Sequence, residues 1–438
     1  AAGVTVDGLM DRAGKGVAAA VQRLASGATV LVLCGPGNNG GDGYVAAAAL
    51  AEAGLNVRVA ATGAPTSEAA ARARDRWSGS IEPLASAEPA PILVDALFGT
   101  GLSRPLEGPH EQKLGFLAEA ARLSISVDLP SGVTTDDGRP LGAIPTFDLT
   151  LALGALKPAH LLQPAARYCG AVRLIHIGID ANSDVKVLDK PSLRSPGPDD
   201  HKYTRGMVAI VAGAMPGATQ LASIAAMRTG AGYVALLGGE GHGGPHALVH
   251  KPLDDDALSD SRIGALLIGP GLGRSGDAAV KLDRALATDH PLVIDGDALY
   301  LLKNRLDALA RRRAPAILTP HAGEFDSLFG KDDASKLVRA RAAARAAGAT
   351  VVFKGADTVI AAPDGRVRIA PDASDWLSTA GTGDVLAGAI AAMLSAGLAP
   401  LEAASAGVWL HGEAARRLGP AFIADDLANA MTAARASL

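Results

Sequence analysis

Residues 29–43 read Thr-Val-Leu-Val-Leu-Cys-Gly-Pro-Gly-Asn-Asn-Gly-Gly-Asp-Gly, and this stretch decides the fold. Positions 30–33 are apolar without a break, where a strand with one wet face would alternate. The spacing therefore predicts a strand covered on both sides, as in a parallel sheet flanked by helices. The glycines that follow make a turn, and an alanine-rich helix is expected from Tyr44 to Ala53. The same alternation runs through the first half, with strands at Val57–Ala60, Ile92–Asp95, Ser124–Asp128, Leu149–Leu153 and Val172–Ile177, and helices at Asp7–Ser26 and Glu111–Arg122. It resumes with strands at Met207–Ala212, Tyr233–Leu237, Ala265–Ile268, Leu292–Ile294, Ala316–Leu318, Val351–Phe353, Val359–Ala362 and Val367–Ala370. Helices are expected there at Ala218–Thr229, Ala298–Arg312, Ala334–Ala347, Gly383–Ala396 and Leu401–Arg417. The fold class is α/β, in two domains, because 438 residues exceed what one core normally organises. Asp184 to Asp199 mixes Asp, Lys, Ser, Pro and Gly without an apolar period and is expected to be the linker.

Composition narrows the function. Aromatics are 3%, so Ala, Val, Leu and Ile must fill the cores, and the net charge of −4 supplies no concentrated basic face for nucleic acid or an anionic membrane. The run Arg311-Arg312-Arg313 is expected as a solvated helix end. Two cysteines, Cys34 and Cys169, cannot build a disulfide framework, and no zinc spacing occurs, so both thiols are expected to be buried and inert. Val385–Ala399 falls short of the ~18 apolar residues that cross a bilayer, and the start lacks a basic-plus-apolar leader. The expectation is a soluble cytoplasmic protein, a homo-oligomer, with small-molecule partners and neither nucleic acid nor membrane.

In sheets of this kind ligands bind beyond the carboxyl ends of the strands. In the first half the polar clusters there are Gly35–Gly43, Asp95–Pro105 and Asp128–Gly132. Gly35, Gly37 and Gly40 match G-x-G-x-x-G, but the next strand runs into Ala61-Thr62-Gly63 without the acidic residue a dinucleotide site needs, which disfavours a hydride-transferring dehydrogenase. Asn38, Asn39 and Asp42 suggest hydrogen bonds to a polar ligand, against the plain alternative of an Asn/Gly turn. Asp95, Asp128 and Ser131 are singly unremarkable at strand ends; with Asn39 they form an oxygen-rich set suited to a hard cation, weakly held K⁺ included.

In the second half the strand ends carry Gly269–Gly273, Asp295-Gly296-Asp297, Thr319–Glu324 and Lys354–Thr358, and Ser378–Leu394 opens the most apolar helix. Gly381, Thr382 and Gly383 expose the first N–H groups of that helix, a ready anion site, with Asp384 within it. The bland reading makes Asp384 a helix cap worth about 0.5–1 kcal/mol. Its small neighbours favour the other one: room for a phosphoryl group beside a carboxylate able to take a proton from an attacking hydroxyl. Thr319 and Pro320 read as N-cap and first residue of a helix. His321 is as readily a surface residue as a ligand contact, and Lys354 either an exposed lysine or a phosphate contact. No Walker sequence occurs.

Taken in order, these stretches resemble a known family. Gly35–Gly43, Asp95–Pro105 and Asp128–Gly132, with Leu9-Met10-Asp11-Arg12-Ala13-Gly14, resemble the NAD(P)HX epimerase domain. His201-Lys202, Thr229–Gly232, Gly269–Gly273, Thr319–Glu324, Lys354–Thr358 and Gly381–Gly388 resemble the ADP-dependent NAD(P)HX dehydratase domain of the ribokinase-like superfamily. The fused arrangement is similar to the bifunctional nicotinamide nucleotide repair enzymes, although Tyr203 stands where they commonly have Gly and Gly296 where they commonly have Ala.

The resemblance implies a Rossmann-like α/β/α epimerase domain over residues 1–183, a linker over 184–199 and a ribokinase-like α/β dehydratase domain over 200–438. It implies an enzyme that epimerises (R)- and (S)-NAD(P)HX and dehydrates the S form with ADP, releasing AMP and phosphate. Asn38, Asn39, Gly40, Gly41, Asp42, Gly99, Thr100, Gly101, Leu102, Ser103, Arg104 and Pro105 would hold the hydrated nucleotide. Asp128 would contact it and is the acid/base candidate, while Asn39, Asp95 and Ser131 would bind K⁺. In the second domain Gly271 and His321 would contact the substrate, and Lys354, Gly355, Ala356, Asp357, Thr358 and Gly383 would contact ADP. Asp384 would act at the reacting centre, with Mg²⁺ as cofactor. Two alternatives stand beside this: a vitamin or sugar kinase, sharing Gly381–Asp384 but releasing a stable phosphorylated product, and a first domain that binds without catalysing.

Overall fold

A computed structural model describes residues 3–239, 244–370 and 374–438. The chain divides into two compact units, Ala1–Ser183 and Asp184–Leu438.

The first unit is a seven-stranded sheet built from β1 (Val30–Cys34), β2 (Val57–Ala61), β3 (Ile81–Pro83), β4 (Ile92–Ala96), β5 (Leu123–Val127), β6 (Leu149–Leu153) and β7 (Ala171–Ile175). Its order is β3-β2-β1-β4-β5-β6-β7 and every pairing is parallel. The unbroken apolar runs have the predicted cause: β1 and β4 are buried along their whole lengths. Strand order reverses between β1 and β4, so the loops after these two strands diverge and leave a crevice. The helix after β1 begins at Asn38, well before the expected Tyr44, and runs to Glu52. Glycine permits this early start: a Cβ on Gly40 would lie 1.8 Å from the Gly35 carbonyl oxygen. Cys34 and Cys169 are both buried, as expected.

The second unit is a ten-stranded sheet of β8 (Val185–Val187), β9 (Met207–Val211), β10 (Tyr233–Leu237), β11 (Val249–Lys251), β12 (Ile263–Ile268), β13 (Leu292–Ile294), β14 (Ala316–Leu318), β15 (Thr350–Phe353), β16 (Thr358–Ala361) and β17 (Val367–Ala370). The order is β11-β10-β9-β12-β13-β14-β15-β16-β17-β8, antiparallel only across β15–β16 and β16–β17. The switch point lies between β9 and β12, and the Gly213 and Gly271 loops meet there, with Met215 N–H donating to the Gly271 carbonyl at 2.9 Å.

The helix Thr382–Ser395 is buried along nearly its whole length. Small residues let it be: a Cβ on Gly388 would sit 2.1 Å from the Ala222 carbonyl of the neighbouring helix Pro216–Thr229, and one on Gly407 2.5 Å from Ile390. This close helix packing is how a chain so poor in aromatics fills its core. No helix among the described residues is long and apolar enough to cross a membrane.

Three expectations are corrected. The segment expected as linker supplies β8, which pairs with β17, and Leu188 N–H donates to Ile369 O at 2.8 Å; three residues with a single Val-Lys-Val alternation were too short a signal among polar neighbours. The helix expected over Ala298–Arg312 is two, Gly296–Leu302 and Leu306–Ala310, because Arg305 leaves helical geometry and pairs with Asp283 at 2.5 Å. Arg312 is no solvated helix end. Its guanidinium donates to the carbonyls of Ala285 (3.2 Å), Leu286 and His290 (2.6 Å), satisfying the last turn of the helix Gly276–Ala287 and the loop after it.

Candidate active sites

In the first unit the crevice between β1 and β4 gathers Asn39, Asp42, Gly99 and Asp128. Asp128 directly follows β5 in the left-handed region, φ 67°, a conformation that a side chain other than glycine holds only when its surroundings fix it. Four contacts fix it. Lys157 Nζ pairs with Oδ1, Leu153 N–H donates to Oδ1 at 3.2 Å, Thr100 N–H donates to Oδ2 at 3.3 Å, and the buried His160 ring donates Nε2–H to the Asp128 carbonyl at 2.6 Å. A Cβ on Gly99 would lie 2.8 Å from Asn39 Oδ1 and 3.1 Å from Asp128 Oδ2, so glycine there lets the two side chains approach.

Asp42 is buried beside this pair, and burial, reinforced by the charge of Asp128, pushes its carboxyl well above the usual carboxylate range. Asn39 Nδ2 is buried without a hydrogen-bond partner, an arrangement that a bound polar ligand would relieve. Asn38, by contrast, is taken up locally by Ser67, whose hydroxyl donates to Oδ1 at 2.7 Å. Gly40 and Gly41 lie buried in the same helix start, while Gly101, Ser103, Arg104 and Pro105 are exposed on the loop after β4, with Leu102 partly covered.

Asp95 is wholly buried and, among the described residues, forms no ion pair; its carboxylate accepts from Leu97 N–H (3.0 Å), Ser131 N–H (3.0 Å) and Ser131 Oγ (2.8 Å). Burial pushes it up to about 6. A monovalent cation at this corner would compensate the buried charge, and the carboxylate and hydroxyl oxygens present fit one. Lys157 and His160 were not signalled by the sequence: they lie after β6 outside any polar cluster at a strand end.

In the second unit three carboxylates and one ammonium converge. Lys354, at the end of β15, donates to Asp295 Oδ1 at 2.9 Å and stands 3.9 Å from Glu324 Oε2, while Thr319 Oγ1 donates to Asp295 Oδ1 at 2.6 Å. Burial alone would lower the lysine's pKa, but Asp295, Glu324 and Asp384 outweigh it and the net shift is upward. Thr319 and Pro320 are not the cap and first residue expected; His321 is the N-cap of the helix Ala322–Phe329. Its Nδ1 accepts from Gly323 N–H (3.0 Å) and Glu324 N–H (3.2 Å), which places the proton on Nε2, 3.4 Å from Glu324 Oε1.

Asp384 lies in the first turn of Thr382–Ser395, whose N-cap, Gly381, adopts φ 88°. It is no cap: among the described residues its carboxyl receives no hydrogen bond. Burial, then the charge of Asp295, pushes it up to about 6 against the opposing pull of Lys354. The turn is braced by a residue the sequence did not signal. His411, buried on the helix Pro400–Leu418, donates Nε2–H to Thr382 O at 2.9 Å, and burial depresses its pKa to about 4, keeping it neutral.

A cavity of about 1270 Å³ extends from this turn. Gly383, Lys354, Gly355, Ala356, Thr358 and His321 line one end, and Leu377, Leu386, Trp376 and Trp409 line apolar walls. Asp357 does not line it; its carboxylate is held by Lys336 Nζ at 2.7 Å. Gly271 sits apart from the lining, packed against Met215. Among the described residues no group of three His, Cys, Asp or Glu side chains is arranged to hold a metal.

Comparison with known proteins follows the same division. Residues 208–435 match the family described as NAD(P)H-hydrate dehydratase, and residues 6–159 match the YjeF-related protein N-terminus. The chain is 37% identical over 460 residues to the bifunctional NAD(P)H-hydrate repair enzyme Nnr of Thermofilum pendens, covering 94% of this chain and 87% of that one. The chain belongs to the bifunctional NAD(P)H-hydrate repair enzyme family. Another member, from Mycobacterium tuberculosis, is 36% identical over 417 residues, covering 91% of this chain and 86% of its own. A ribokinase-like superfamily protein of Enterococcus faecalis superposes with a TM-score of 0.51 at 22% identity, over 59% of this chain and 98% of that structure, a likeness of fold alone. In family terms, the Asp128 crevice lies in the YjeF-related part and the Asp384 turn in the dehydratase part.

Proposed function

We propose that this chain repairs hydrated nicotinamide nucleotides at two sites: the first unit interconverts (R)- and (S)-NAD(P)HX, and the second dehydrates (S)-NAD(P)HX to NAD(P)H with ADP, yielding AMP and phosphate. The observation that carries the reading is Asp384, a carboxylate without a hydrogen bond among the described residues, beside Lys354 at a helix start whose Thr382 and Gly383 line the large cavity.

Hydroxide leaves poorly from carbon. Asp384 takes the proton of the substrate hydroxyl as its oxygen attacks the terminal phosphoryl of ADP; AMP departs, phosphate then leaves the ring carbon, and loss of the adjacent proton restores the double bond. The amides of Thr382 and Gly383 and the ammonium of Lys354 face the charge on the transferring group. Mg²⁺, held chiefly through the nucleotide's phosphates, would supply further charge neutralisation. In the first unit Asp128 is the acid/base group and Asn39, Asp95 and Ser131 would hold K⁺, a reading supported by the wholly buried Asp95 carboxylate, which is hydrogen-bonded to Ser131 but forms no ion pair among the described residues. The cytoplasm is the proposed site of action, with self-association as a homo-oligomer, checked by sedimentation.

The test incubates the full chain with the equilibrated mixture of hydrated NADH epimers, ADP and Mg²⁺. NADH absorbance should recover completely. Accumulation of a stable phosphorylated product would favour the kinase reading instead, and recovery halted at one epimer would leave the first unit as a binding module.

A further inference from the structure

We propose that Asp42 is the proton donor of the epimerisation and that Lys157 holds the proton acceptor, Asp128, in place for it; this rests on the repair reading above and adds a chemical route to it. Asp42 is 9% exposed, and among the described residues its carboxyl makes no hydrogen bond. Leaving such a group buried and unpartnered is costly unless a ligand completes it. One helical turn earlier, Asn39 Nδ2 is fully buried without a hydrogen-bond partner. The charged groups acting on Asp42 are Asp128 from the end of β5 and Lys157 from the segment after β6. Burial, reinforced by Asp128, favours the protonated form of Asp42, whereas Asp128 is ion-paired with Lys157. A buried carboxyl without a cation of its own, beside a carboxylate paired with an ammonium, supplies the two parts of an acid/base pair.

The substrate suits such a pair. Hydration of the ring's nitrogen-bearing double bond puts the hydroxyl on the carbon attached to nitrogen, so the substrate is a carbinolamine. Asp128 removes the hydroxyl proton; the C–O bond becomes C=O as the ring C–N bond breaks, and its electron pair remains on nitrogen, which takes the proton of Asp42. The resulting aldehyde turns about its neighbouring single bond and offers its other face. Nitrogen adds back, returns its proton to Asp42, and the oxygen regains the proton from Asp128. No water is consumed and nothing is oxidised or reduced. Lys157 acts through Asp128: with Nζ also donating to Leu153 O at 2.8 Å, it fixes where the carboxylate points.

The test uses the full chain with mixed hydrated NADH epimers, ADP and Mg²⁺, comparing wild type with Asp42→Asn, Lys157→Gln and Lys157→Arg. Asp42→Asn should lower the kcat of epimerisation by about 100-fold or more at little-changed KM, so that absorbance recovers rapidly for one epimer and then only slowly. Lys157→Gln should also lower kcat, and Lys157→Arg should restore part of it. Thermal melting establishes that each variant is folded, and either position alone decides the outcome. Epimerisation at the wild-type rate in Asp42→Asn, or a rise in KM without loss of kcat at either position, overturns the proposal. So does replacement of the substrate oxygen by ¹⁸O from solvent at every epimerisation. If the wild-type chain itself recovers only one epimer, the repair reading of the first unit falls rather than this assignment.

Discussion

Asp128 and Asp384 are each the candidate acid/base carboxylate of their unit, yet the chain treats them oppositely. Asp128 is locked: a left-handed backbone, a paired ammonium, two N–H donors to its carboxylate and a histidine on its carbonyl leave it one orientation. Asp384 is left open, half-buried and without a hydrogen bond among the described residues, with its charge opposed by Asp295 and supported by Lys354. The difference teaches what each reaction asks of a carboxylate. A group that must move protons to and fro on a small substrate profits from fixed geometry; one that must meet a hydroxyl and a transferring phosphoryl needs unspent hydrogen-bonding capacity.

The largest effect should come from breaking the open member. Asp384→Asn keeps the shape and should cut dehydration by about 10³-fold while leaving ADP binding intact, measured by single turnover and equilibrium titration. Near-normal turnover would deny Asp384 its role. Next, Lys354→Met removes the cation that Asp295 and Glu324 share. Breaking a buried pair in this way costs about 3–5 kcal/mol, seen as a lowered denaturant midpoint of the second unit, and should also weaken nucleotide binding. A midpoint unchanged by the substitution would mean that the carboxylates are compensated otherwise.

The smallest effect sharpens the comparison through pH. Asp384, pushed up to about 6, must be ionised to accept a proton, so dehydration should climb about tenfold per pH unit below 6 and level off above it. Stability runs the other way. A carboxyl with a folded pKa above its unfolded value binds more protons when folded, so its contribution falls as pH rises from the ordinary carboxylate range through about 6. A rate that rises and a stability that falls across one window distinguish this group from carboxylates held below their usual range, such as Asp260.

The sheets were legible because burial on both faces writes an unbroken apolar run, as in Val30–Leu33 and Leu292–Ile294. Elements whose signal is short or opposed by propensity were not. Val185–Val187 is an edge strand amid polar residues, and the helix start at Asn38 contradicts the preference of Asn and Gly for turns. At the sites, residue types after strands made Asp42, Asp128 and Lys354 candidates, and a glycine-flanked helix start did the same for Asp384. What could not be read was which of them would touch: Asp357 turns to Lys336, His321 becomes a cap, and Lys157 reaches Asp128 from a segment without a motif. Such contacts depend on loop paths that local sequence does not encode.

The central claim is that two separate sites in one chain share the repair. It is tested most directly by mixing two variants, Asp384→Asn and Asp128→Asn, each supplied alone with both hydrated NADH epimers, ADP and Mg²⁺, and then together. Alone, the first should restore almost no NADH and the second only the epimer that the dehydratase accepts, apart from slow spontaneous conversion. Together they should restore both at a catalysed rate. Full recovery of both epimers by either protein alone, or no gain on mixing, would contradict the account.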